Sequence, residues 1–204
     1  FLGTVLDSAA LNMDTIFVGL LVAPAVAGTY FNAFRTAGLL TLFMFAITLV
    51  VAPMVSRHYH AGEMKKAQAI TALCAWAGFV FSLVVFAGFL AFGDQVMGLF
   101  GGSHEQGALL LVILSIGLLF DAATGPSRIV MMMTGHERAY VRIFGAVIVI
   151  GMIVQVPVIM ASGALGAAVV NTLARIAAQL AIAWYSHRRI GLDTTLLGAF
   201  LVGS

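Results

Sequence analysis

D-A-A-T-G-P-S-R-I-V-M-M-M-T-G-H-E-R-A-Y-V-R, residues 121–142, sets an acid, a Gly-Pro break and a base inside an apolar helix, then runs into a basic loop. Asp121, Thr124 and Arg128 follow i, i+3, i+7 spacing and share one helical face. Pro126 has no backbone donor and crowds the carbonyl of Ala122, which predicts a kink between the two charges. Charges inside an apolar span are costly and normally face a bundle interior or a wet cavity. Asp121 and Arg128 therefore read in two ways, as an ion pair locking helices together or as part of a solute pathway.

Working outward, hydrophobic residues make up 62% of the 204-residue chain and charged residues 9%, against about 25% charged in ordinary globular domains. So few charges cannot cover a soluble protein of this length. The fold class predicted is all-α, a polytopic membrane protein. The single cysteine, Cys74, lies in an apolar run, which excludes an intramolecular disulfide and speaks against a thiolate metal site. A net charge of +2 is too small to suggest nucleic acid. The chain opens at Phe1, already apolar and without a signal-peptide pattern, which points to a fragment of a longer protein.

Six spans are expected, near residues 1–22, 29–55, 67–92, 108–133, 140–160 and 164–185. Together residues 1–186 would form one six-helix lobe. Residues 187–204 would be a basic anchor followed by an apolar tail, either an interfacial helix or the start of a further span. In the first span Asp7 and Asp14 share a face, with Asn12 to the side. The uncharged turn 23–28 sets Asp14 and Arg35 at matching depth, roughly 16 Å from it at 1.5 Å per residue, where a buried pair holding the hairpin is expected. Residues 56–66 read as a solvated basic loop. His58 and His60, two apart and with no third ligand near, do not make a metal site. The third span hides only Thr71 and Ser82 and is expected to face lipid most. Residues 93–107 read as an acidic connection, with 96–100 in the interface. Gln155 and Pro157 predict a second kink in the fifth span, before a tight turn at 161–163. In the sixth span Asn171, Thr172, Arg175 and Gln179 fall within an arc of about 100°. Small residues on that helix, Gly166, Ala167, Ala174 and Ala178, permit close helix contact.

Orientation follows from lysine and arginine. Arg57, Lys65, Lys66, Arg138, Arg142, Arg188 and Arg189 fall in alternate connections and in the tail, and the other turns hold no Lys or Arg. The basic loops and tail are therefore expected to be cytoplasmic. The remaining bases, Arg35, Arg128 and Arg175, are intramembrane, with Asp14 and Asp121. Placing all five against lipid would cost on the order of 12–18 kcal/mol, more than the stability of a typical domain. They must converge on each other or on a hydrated cavity. Counted from the outer ends, Asp121 and Arg175 both lie roughly 20 Å deep. No P-loop, no H-E-x-x-H and no paired cysteine ligands occur. Ser127 lacks the surroundings of a nucleophile elbow. No catalytic residue, metal or cofactor is expected.

The run N-M-D-T-I-F-V-G-L-L-V-A-P-A-V-A-G-T-Y-F-N-A-F-R (residues 12–35) resembles the opening of the C-terminal half of polysaccharide exporters, through an Asp in the first helix and Gly28, Tyr30, Ala33 and Arg35 in the second. Pro53 before a basic loop, and G-P-S-R-I-V-M-M-M-T-G-H-E-R (125–138), are also similar to that family. It is the MOP superfamily, and within it the flippases for lipid-linked oligosaccharides of O-antigen and exopolysaccharide synthesis. The resemblance implies a bacterial inner-membrane exporter of two six-helix lobes, this chain being the second and the N-terminal lobe a missing partner. Substrate would bind between lobes that alternate access by rocking. A lipid-linked oligosaccharide carries a pyrophosphate, which needs compensating positive charge, and the planar fork of Arg suits it. On that reading the substrate-binding residues are Arg175 first, then Arg35 and Arg128, with Asn171 and Gln179 for sugar hydroxyls. Asp14 or Asp121 would carry a coupling proton, and Gly125 with Pro126 would be the hinge. Drug/cation antiporters, a sister branch, fit the same fold. A membrane enzyme acting on lipid-linked sugars lacks its expected large outer loop, and a non-transporting scaffold leaves the polar stripe of the sixth span without a purpose.

Overall fold

The computed structural model describes residues 14–100, 104–196 and 198. Asp7, Asn12 and the start of the first span lie outside the described residues. The described elements are helical throughout, with no strand among them. In chain order they are α1 (residues 14–21), α2 (Pro24–Ala37), α3 (Leu39–His60), α4 (Met64–Gly98), α5 (His104–Ala123), α6 (Ser127–Met133) and α7 (Glu137–Tyr185), followed by a π-helical turn, Ser186–Ile190.

Four helical runs among the described residues are long and apolar enough to cross a membrane: Pro24–His60, Met64–Gly98, Gln106–Ala123 and Glu137–Ile190. The last spans 54 residues and folds back on itself. Its backbone leaves helical geometry at Gly163 (φ 61°, ψ −146°), conformational space that a side chain would resist. The two halves then run antiparallel, so that a Cβ on Gly151 would lie 3.7 Å from that of Ala174. Large apolar side chains such as Leu49, Val84, Ile150 and Met160 are exposed along these runs, a surface suited to lipid rather than water. The chain is an all-α, polytopic membrane protein.

Several expected boundaries move, each for a local reason. Pro24 opens α2 in the first turn of the helix, where its missing N–H costs nothing, so the helix starts before Thr29. The polar segment 56–66 is helix up to His60 and again from Met64, reversing only around Gly62 at φ 75°. The connection expected over 93–107 is helix through Gly98, with one non-helical residue at Phe92. Pro157 is accommodated inside α7 without a helix break. The third span is not the most lipid-exposed: 28% of the most apolar stretch of α4 is buried, against 11% for α7. Its Ala72, Ala75, Gly78 and Ser82 form a buried small-residue face, and Ser82 Oγ donates across the contact to Leu40 O at 2.8 Å.

Two cores mark the ends of the bundle. One joins Val18, Tyr30, Leu40, Leu111, Leu114, Ile159 and Ala167; the other joins Val55, Val130, Met131, Tyr140, Ile182, Ile190 and Leu192. The second end also carries the last turn of α3 with Arg57, the first turns of α4 and α7 with Lys65, Lys66 and Arg138, and the π-turn with Arg188 and Arg189. Lys65, Lys66 and Arg138 sit at helix N-termini, where the helix dipole disfavours cations. Helix stability therefore does not account for their placement.

A polar cavity between the two cores

The helix containing Asp121 breaks at the Gly-Pro pair. α5 ends at Ala123 and α6 begins at Ser127, with Gly125 at φ 64°. Asp121 and Arg128 thus lie on two separate helices rather than on one continuous face. Both still line a single cavity of about 380 Å³, together with Asp14, Gln155, Asn171, Arg175 and Gln179.

Within it the polar side chains form a chain of contacts. Asn171 Nδ2 donates to Asp14 Oδ2. Asn171 Oδ1 accepts from Arg175 Nε at 3.1 Å, and Arg175 Nη1 donates to Asp121 Oδ2 at 3.1 Å. The guanidinium also lies 5.9 Å over the ring of Phe34, within cation–π range. Asn171 and Arg175 are one turn apart on α7, which lets the amide orient the guanidinium. Gly117 on α5 leaves room for the arginine stem, since a Cβ there would meet Arg175 Cδ and Thr172 Cα at 3.3 Å. Thr172 Oγ1 fixes the same crossing by donating to Ile113 O at 2.8 Å.

Both ends of this chain carry unused hydrogen-bonding capacity. Gln155, 2% exposed, turns its amide toward Asp14, its Nε2 short of a hydrogen bond of full geometry. At the far end Gln179 lies against the Asp121 carboxylate, and Asp121 Oδ1 and Gln179 Oε1 are buried without a hydrogen bond of full geometry. Buried polar atoms are normally satisfied, and each exception costs about 1–3 kcal/mol. Arg175 Nη2 also makes no hydrogen bond among the described residues.

One expectation needs correction. Asp14 does not pair with Arg35: it bonds Asn171, while Arg35 is exposed and lies 5.1 Å over the Phe31 ring. α2 turns Arg35 away, and Arg35 does not line this cavity. Arg128 and Arg175 face it together with Asp14 and Asp121, two bases against two acids. The pairing of Asp121 with Arg175, equal in depth by residue counting, is present. Gln155 was readable only as a polar group near a proline; its signal was a lone amide in an otherwise apolar helix. Among the described residues no group of three or more His, Cys, Asp or Glu could hold a metal ion. His58 instead contacts Glu63 at 2.5 Å, and Lys66 contacts the same carboxylate at 2.9 Å. Those two hydrogen bonds, Lys66 first, hold Glu63 below the usual carboxylate range.

Comparison with known proteins adds a family. The MatE family model matches residues 1–158. A Haloferax volcanii protein, the probable low-salt glycan biosynthesis flippase Agl15, is 23% identical over 162 residues, which are 79% of this chain and 34% of the relative. The chain thus spans about a third of the length of the curated relative it matches. No solved structure matches it.

Proposed function

Because the chain belongs to the MatE family of membrane transporters, we propose that it is one lobe of a flippase that moves a lipid-linked oligosaccharide across the membrane by alternating access, with the cavity as part of the substrate path. The observation that carries this reading is the set of under-satisfied polar atoms at the two ends of the charge chain: a donor, Gln155 Nε2, which only approaches Asp14, and two acceptors, Asp121 Oδ1 and Gln179 Oε1. A sugar hydroxyl donates and accepts at once, so it satisfies both kinds. A phosphate only accepts and an ammonium only donates. The name of the Haloferax relative, a glycan biosynthesis flippase, supports the same substrate class.

In this reading Arg175 binds through the edge that Asp121 and Asn171 leave over. Arg128, on α6, contacts the pyrophosphate at the other side of the cavity. Asp14 and Asp121 are the candidates for a coupling proton, and the basic end faces the cytoplasm of a bacterial inner membrane. The N-terminal lobe is supplied by sequence outside these 204 residues. Two carboxylates in the cavity favour a second reading, a drug/cation antiporter.

The test is reconstitution of the full-length transporter in proteoliposomes with two substrates in parallel, a fluorescent polyprenyl-pyrophosphate oligosaccharide and a lipophilic cation. Flipping of the first, reduced roughly ten- to a hundredfold by Arg175→Ala, is the expected result. Movement of the cation alone would replace the flippase reading by the antiporter.

A further inference from the structure

The segment after the π-turn does not continue as a helix. Residues 191–195 run back over α4 and reach the Gly125-Pro126 break. Gln68 on α4 grips this strap from both sides: its Nε2 donates to Asp193 O at 2.7 Å and Gly198 O at 3.2 Å, and its Oε1 accepts from Asp193 N at 2.8 Å. Trp76 Nε1, two turns further along α4, donates to Leu196 O at 3.1 Å. Leu192 is fully buried and packs in the core shared with Val130 and Met131 of α6.

At the break itself the strap meets the broken helix. Ser127 Oγ gives its one proton to Thr124 O at 2.6 Å. The 2.7 Å contact between Ser127 Oγ and Thr194 Oγ1 therefore has Thr194 as donor. The Thr194 carbonyl occupies the place a side chain at position 125 would take: a Cβ built there would lie 2.3 Å from Thr194 O and 2.8 Å from Ala75 Cβ. Glycine is needed here for the positive φ and also to let the strap touch the backbone.

We propose that the strap is a latch: it ties α6 to α4 across the break, and α6, which brings Arg128 to the cavity, swings relative to α5 only when Thr194 and Gln68 let go. The ties are a few hydrogen bonds and one buried leucine, of a strength that local opening can break and remake. A stiffer link would freeze the break and a weaker one would leave it uncontrolled.

Hydrogen–deuterium exchange of the intact protein in nanodiscs tests this without reference to substrate. Among the described residues the hydrogen bonds of the Gln68 side chain go to Asp193 of the strap and to Gly198 just beyond it, so Gln68→Ala is expected to reach α6 through this segment. The expected result is exchange in Ser127–Met133 faster by roughly three- to tenfold, part of the effect of losing three hydrogen bonds being passed on to α6, with the 106–118 part of α5 unchanged. Faster exchange in the strap alone, with α6 unaffected, overturns the latch. A second arm covers the case in which Gln68→Ala unfolds the protein. Ser127→Cys/Thr194→Cys in a Cys74→Ala background closes a disulfide, and oxidised and reduced samples of the same preparation are compared. Slower exchange of α6 in the oxidised form is expected, and equal exchange in the two forms overturns the proposal.

Discussion

Removing the guanidinium of Arg175 is the sharpest perturbation that the cavity offers. Arg175→Ala deletes the 3.1 Å ion pair to Asp121 and the 3.1 Å hydrogen bond to Asn171, leaving Asp121 without a cation and Asp14 with an amide alone. Breaking a fully buried pair from one side costs about 3–5 kcal/mol. Here the two side chains keep 22% and 20% exposure to the cavity, so partial solvation of the stranded carboxylate lowers the expected loss to about 1–3 kcal/mol. For a domain of this size that corresponds to a fall in Tm of roughly 2–10 °C. Asp121→Ala strands the arginine instead, and the double substitution strands neither. The coupling expected from the cycle is about 1–2 kcal/mol, with the double variant more stable than the sum of the single losses implies. The assay is thermal unfolding of the purified protein in detergent, followed by size-exclusion fluorescence. Losses that simply add would show that the two residues do not interact, and the charge chain described above would be wrong.

Cysteines placed at Lys65 and Arg138 in a Cys74→Ala background are expected to be shielded from impermeant thiol reagents outside intact cells, while one at Ala25 is labelled; outside labelling at Lys65 reverses the proposed orientation. Pro126→Ala restores a backbone donor at the break and is expected to slow transport more than it lowers Tm; an unchanged transport rate makes the proline a packing feature only. Asp14→Asn and Asp121→Asn mimic the protonated acids, and at least one is expected to abolish transport driven by a pH gradient in proteoliposomes, failing which neither acid is the carrier. Arg35→Ala, outside the cavity and stacked on Phe31, is expected to leave export within about threefold of the unaltered protein, the effect of an exposed contact; a loss as large as that of Arg175→Ala would place a second binding surface on α2.

What the sequence determined by itself was whatever depends on composition and on distance along one chain. Sixty-two per cent apolar residues force the membrane, because water-exposed surface cannot be built from them. The α-helix then follows, since each span must satisfy its backbone polar groups internally. A Gly-Pro pair inside such a span breaks it wherever the chain goes, and the break stands at residues 124–126. Rise per residue is fixed, so Asp121 and Arg175 could be matched in depth before any contact was known, and they do meet. Rotation about a helix axis and the packing of neighbours were not legible. Asp14 and Arg35 match in depth by residue counting as well, yet α2 packs through Tyr30 and Ala33 and carries Arg35 to the outside, so that Asn171, from a helix more than a hundred residues away, takes Asp14. Gln155 became a site residue only when α7 folded back at Gly163 and laid it beside Asp14. The route of residues 191–196 depended on Gln68, whose amide can hold a backbone strand from both sides, a match between two segments that no periodicity in either one encodes.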